Sequence, residues 1–144
     1  MFEEKNDDSS AMMTEGFGKA ITNLTKIIKT LKPDLIFSGF DIGANFAAAI
    51  IGAHMNIHVA HLEGGEITGT IDESIRHAIS KFAHIHFTSN EQATERLIKM
   101  GESSKNIFTV GNPSLDVIKS LKIISKKKLE NEFNINLDKP LLLI

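Results

Sequence analysis

The chain has 144 residues, with 16 lysines and arginines against 18 aspartates and glutamates, so its formal charge is −2. Length bounds it at one or two domains, a 42% hydrophobic and 24% charged composition excludes wholesale disorder, and the near-balanced charge leaves no electrostatic footprint for nucleic acid or an acidic membrane. Zero cysteines exclude a disulfide framework, a thiolate metal site and a cysteine nucleophile. No apolar run approaches the roughly 20 residues that span a bilayer. The acidic start MFEEKNDDSS is not a secretory signal, so the expected setting is the cytoplasm.

Residues 1–14 are polar and read as a loop or a frayed start. From Glu15 onward, Phe17, Ala20, Ile21, Leu24, Ile27, Ile28 and Leu31 recur at three- and four-residue spacing, the stripe of an amphipathic helix. Pro33 ends it, because the residue before a proline is pushed out of the α region. Residues 35–38 (LIFS) are then a strand, and residues 43–55, rich in alanine, a helix buried on most sides. Strands follow at 57–62 (IHVAHL), 83–88 (AHIHFT) and 107–110 (IFTV). Between them lie helices at 72–83 and 90–100, the second capped by Asn90 and stopped by Gly101. Residues 114–133 form one or two helical pieces, with residues 126–128 a solvated basic face. This alternation predicts an α/β fold with a parallel sheet and helices on both faces. The terminal LLLI reads as the opening strand of a further domain. The expected division is 1–122 as the later part of one domain, 123–138 as a linker and 139–144 as the start of the next. A sheet lacking its first strands would expose an apolar edge, so the 144 residues are expected to be weakly stable and inactive alone.

In an open parallel sheet, ligands bind where the strands end. Gly39-Phe40-Asp41-Ile42 follows the first strand and a longer loop from Glu63 to Ser74 the second. Gly64, Gly65 and Gly69 free that loop's backbone to approach a ligand closely. Asp72 is read equally well as a helix cap or as a catalyst. Glu63 ends an apolar strand, where an acid gains nothing structurally, and is therefore a candidate acid or base. Arg76 is placed either to bind a phosphate or to pair with Asp72 four residues before it. His84 and His86 share a face of their strand, yet no further ligands follow at a metal spacing, and packing is the simpler reading. No dinucleotide fingerprint or phosphate-loop lysine is present, and no metal or cofactor is called for.

Residues 61–77, HLEGGEITGTIDESIRH, resemble the signature of the UDP-N-acetylglucosamine 2-epimerases, in particular the hydrolysing branch of sialic and legionaminic acid biosynthesis. The related loop of the non-hydrolysing branch typically reads H-V-E-A-G-L-R, without the G-G-E and D-E-S-I-R-H strings. The likeness continues through HAISKFAHIHF and GNPSLD and covers most of the chain from about Ile21. It implies two Rossmann-like domains in the GT-B arrangement with a UDP-sugar between them, a full-length homo-oligomer, and no cofactor. It further implies elimination of UDP to a glycal, followed by addition of water. By resemblance Glu63, Asp72 and Asp41 match the family's catalytic acids, and His61, Glu66, Glu73 and Arg76 are supporting residues that orient acids or substrate. One departure is plain: relatives read G-D-R or G-D-T where this chain has Phe40 between glycine and acid and Ile42 after it. The alternatives are the non-hydrolysing epimerase and a non-catalytic remnant.

Overall fold

A computed structural model describes residues 10–40 and 43–140. In chain order it runs α1 (Ser10–Leu31), β1 (Leu35–Gly39), α2 (Gly43–His54), β2 (His58–Leu62), α3 (Ile71–Phe82), β3 (Ile85–Thr88), α4 (Glu91–Lys99), β4 (Ile107–Thr109), α5 (Pro113–Ser120) and α6 (Lys126–Phe133). Residues 10–14, expected as loop, belong to α1. Ala11, Met12 and Met13 are good helix formers, and extending a helix already nucleated costs little. The terminal strand expected at 141–144 lies outside the described residues.

The four strands form one parallel sheet in the order β1-β2-β3-β4. Each crossover contains a helix, as a parallel pair requires. The core is centred on Ala49 of α2, Val59 of β2 and Ile79 of α3, with Ile36, Phe46, Ile75 and Phe82 packed around them. Alternation along the strands assigns the faces. Ile36, Ser38, Val59, His61, His86 and Thr88 meet the helices, and α1 packs on α2 through the stacked rings of Phe17 and Phe46, 5.2 Å apart. The other face carries a ladder of rings, Phe37 on Phe87 at 6.0 Å and Phe87 on Phe108 at 5.9 Å. Leu35, Phe37, Phe108 and Val110 are exposed there.

The helix ends follow local chemistry. The backbone of Lys32 takes a φ of 49° before Pro33 and closes α1 with a bond from its N–H to the Ile28 carbonyl, 2.8 Å. Asn90 caps α4 by accepting from the Ala93 N–H at 2.8 Å. The chain divides into two compact units, one ending at Asn112 and the other starting at Pro113. In the second, Ser125 caps α6 and Asn134 ends it in the left-handed region. Among the described residues no helix is long and apolar enough to cross a membrane.

Candidate functional site

At the carboxyl ends of β1 and β2 the backbone makes the same move twice. Gly39 and Leu62 are register partners, and the residues that follow them, Phe40 and Glu63, both have φ of 63°. A non-glycine residue held there costs roughly 1–2 kcal/mol, and such strain persists only where the surroundings over-determine it. For Glu63 the surroundings are visible. Its N–H donates to the Phe87 carbonyl on β3 at 2.8 Å, and its side chain is half-buried. The left-handed turn aims the chain out of the sheet into the loop that leads to α3.

That loop is fastened along its length. Arg96 of α4 donates to the Gly65 carbonyl. The guanidinium of Arg76, on a residue only 7% exposed, donates to the Glu66 carbonyl at 3.0 Å. The Glu66 carboxylate accepts from the Asn90 amide at 2.7 Å. Glu73 accepts from the N–H groups of Thr68 at 3.0 Å and Gly69 at 2.8 Å, and these bonds, the Gly69 one foremost, hold its pKa below the usual carboxylate value. Asp72 is exposed at the start of α3 and accepts from the Thr70 hydroxyl at 3.1 Å.

The two central glycines each pack closely against the chain itself. A Cβ on Gly65, whose φ is 85°, would stand 3.0 Å from the carbonyl carbon of Ala93 and closer still to its oxygen. A Cβ on Gly64 would press on His61 Nδ1 at 2.9 Å and Ser80 Oγ at 3.0 Å. Gly69 differs: its φ of 71° calls for glycine, but the space around it is open.

His61 is fully buried beneath the loop, with Nδ1 3.0 Å from Ser80 Oγ. The Ser80 hydroxyl also reaches the Arg76 carbonyl at 3.1 Å. A hydroxyl has one proton, so donation to that carbonyl leaves Ser80 to accept from His61 Nδ1–H. Burial, reinforced by His86 and Arg76, lowers the His61 pKa to about 3, and the ring is neutral at physiological pH. His86, its register partner on β3, is also buried, and its Nε2 lies 3.4 Å from Glu102. Burial lowers its pKa against the opposing pull of Glu102. His84 accepts from the Val59 N–H through Nδ1 at 3.2 Å. No group of three or more metal-ligating side chains occurs among the described residues.

Glu63, Glu66, Asp72, Glu73, His61 and Arg76 thus all belong to one loop and its supports, while Asp41 lies outside the described residues. Sequence reasoning missed Arg96 and Ser80. Arg96 is 31 positions from Gly65, and nothing in the local pattern of α4 distinguishes it from an ordinary solvated base.

A parallel Rossmann-like sheet with an acid-bearing, pre-ordered loop at its carboxyl rim is an α/β architecture of the kind that receives ligands at the strand ends. The model of the family described as UDP-N-acetylglucosamine 2-epimerase matches residues 4–144. The chain belongs to that family. It is 39% identical over 132 residues to a UDP-N,N'-diacetylbacillosamine 2-epimerase (hydrolyzing) of Legionella pneumophila, covering 92% of this chain and 35% of the relative. To a UDP-N-acetylglucosamine 2-epimerase of Neisseria meningitidis serogroup B it is 40% identical over 118 residues, 82% of this chain and 31% of the relative. The crystal structure of UDP-GlcNAc 2-epimerase from Neisseria meningitidis bound to UDP-GlcNAc superposes with a TM-score of 0.74 at 26% identity, covering 94% of this chain and 38% of that one. The chain therefore spans about a third of the length of the relatives it matches.

Proposed function

We propose that the whole protein is a hydrolysing 2-epimerase of a UDP-linked N-acetylated hexosamine, working in the cytoplasm as a homo-oligomer. In this reading a carboxylate takes the proton from C2 of the sugar while the C1–O bond breaks and UDP departs, leaving a glycal. An acid then returns a proton to C2 from the opposite face and water adds at C1, giving N-acetylmannosamine or a diacetamido analogue. Such chemistry needs carboxyl groups in different protonation states on a rigid frame. Glu63, Asp72 and Asp41 are the proposed catalytic acids, and His61, Glu66, Glu73 and Arg76 the residues that hold them and the substrate. The chain then contributes the later part of the first domain of a GT-B pair, through residue 122, with 123–138 as linker and 139–144 opening the second domain.

The observation that carries this reading is Glu63: a half-buried carboxylate in a left-handed turn at the end of β2, on a loop fastened by Arg96, Arg76, Asn90 and Glu73. A rigid loop keeps an acid within the tolerance that proton abstraction demands. The name of the Legionella relative favours the hydrolysing branch. The test is UDP release by the whole protein from UDP-N-acetylglucosamine and from UDP-N,N'-diacetylbacillosamine, with product analysis. Glu63→Gln is expected to abolish release while the far-UV circular dichroism is unchanged. Undiminished release by that variant removes Glu63 from the mechanism, and a product still linked to UDP assigns the non-hydrolysing reaction instead.

A further inference from the structure

Phe40 stands at the rim of the sheet in the turn that matches the one carrying Glu63, one strand away, and its side chain is 52% exposed. Nothing among the described residues asks for a phenylalanine there. A φ of 63° suits glycine or asparagine, and a half-exposed ring forgoes much of the burial that makes an aromatic stabilising. Phe37, three residues earlier, stacks on Phe87 within the sheet, whereas Phe40 lies beyond the end of β1 at the edge where a parallel sheet receives ligands. Left-handed strain at a residue that its described neighbours leave half exposed points to a ligand.

We propose that Phe40 is a specificity-determining residue whose ring packs on the apolar C–H face of the N-acetylated hexose. The assignment rests on the reading that Glu63 acts at C2 of that sugar: a ring one strand from the base then flanks the sugar. An aromatic face offers dispersion and a π surface to the axial C–H bonds of a pyranose. It carries no hydrogen-bonding group, and so makes no demand on the hydroxyl or acetamido substituents at the sugar's edge.

The test compares the whole wild-type protein with Phe40→Gly and Phe40→Tyr, using UDP-N-acetylglucosamine and UDP-N,N'-diacetylbacillosamine as substrates and free UDP as inhibitor. Glycine relieves the left-handed turn, so the thermal midpoint of Phe40→Gly is expected to hold or rise. Its KM is expected to increase about tenfold for the preferred substrate, with kcat within about twofold. The inhibition constant for UDP is expected to stay constant, and Phe40→Tyr to keep the wild-type KM. An unchanged KM in an active Phe40→Gly overturns the proposal alone, as does an inhibition constant for UDP that rises with KM, since the ring then touches the nucleotide. A midpoint that falls in both variants makes Phe40 a packing residue and overturns it too. A wild-type protein that releases UDP from neither substrate overturns this proposal together with the functional reading beneath it.

Discussion

Replacing Gly65 by alanine separates two costs that a single glycine conceals. At a φ of 85° any L residue incurs left-handed strain, about 1–2 kcal/mol. The new methyl would also overlap the carbonyl group of Ala93, a backbone atom inside α4 that cannot swing aside. Over-packing of this kind costs about 1–3 kcal/mol, which brings the expected loss to about 2–5 kcal/mol. Gly69→Ala is the internal control. Its φ of 71° carries the same strain, but no heavy atom lies within 4 Å of the added carbon, so its expected loss is about 1–2 kcal/mol. Urea unfolding followed by circular dichroism, with equal slopes for the variants, reads the difference. Gly65 also fixes the loop that starts at Glu63, so on the proposed function UDP release by the whole protein carrying Gly65→Ala is expected to fall about a hundredfold, the loss that an ångström of misplacement can cause. Equal destabilisation by the two substitutions would refute the reasoning, since the contact with α4 would then contribute nothing.

Two further outcomes concern pH. The folded His61 pKa of about 3 lies below the unfolded value of 6.5, so its contribution is complete above pH 6.5 and is lost as pH falls toward 3, by about 1.4 kcal/mol per pH unit while only the unfolded chain binds the proton. The His61 ring resonances in NMR spectra are expected to show no titration between pH 7.5 and 4.5, and a midpoint near 6.5 would place the ring in water. Glu73 is likewise depressed, from 4.5, by its bonds to Gly69 and Thr68. Its staple is therefore expected at full strength above pH 4.5 and weakens as pH falls through the lower folded value. The stability gap between wild type and Glu73→Gln should shrink over that range, and a gap that widened on acidification would contradict it.

What the sequence determined by itself is local or contiguous. The spacing of Phe17, Ala20, Leu24 and Ile28 set α1, the Asn90 cap set the start of α4, and the alternation of strands with helices set a parallel sheet, because each depends on neighbours within a few positions. The string from His61 to His77 marked the loop, since its acids and glycines lie side by side in the chain. The tertiary structure decided what each of those residues touches. It set Gly64 and Gly65 in close contact with His61, Ser80 and α4. It buried His61 and His86 as register partners, and it brought Arg96 to the Gly65 carbonyl. It also gave Phe40 and Glu63 matching left-handed turns. Those facts depend on strand register and helix docking, which are set by the summed burial of many side chains far apart in sequence and leave no mark on any one short stretch.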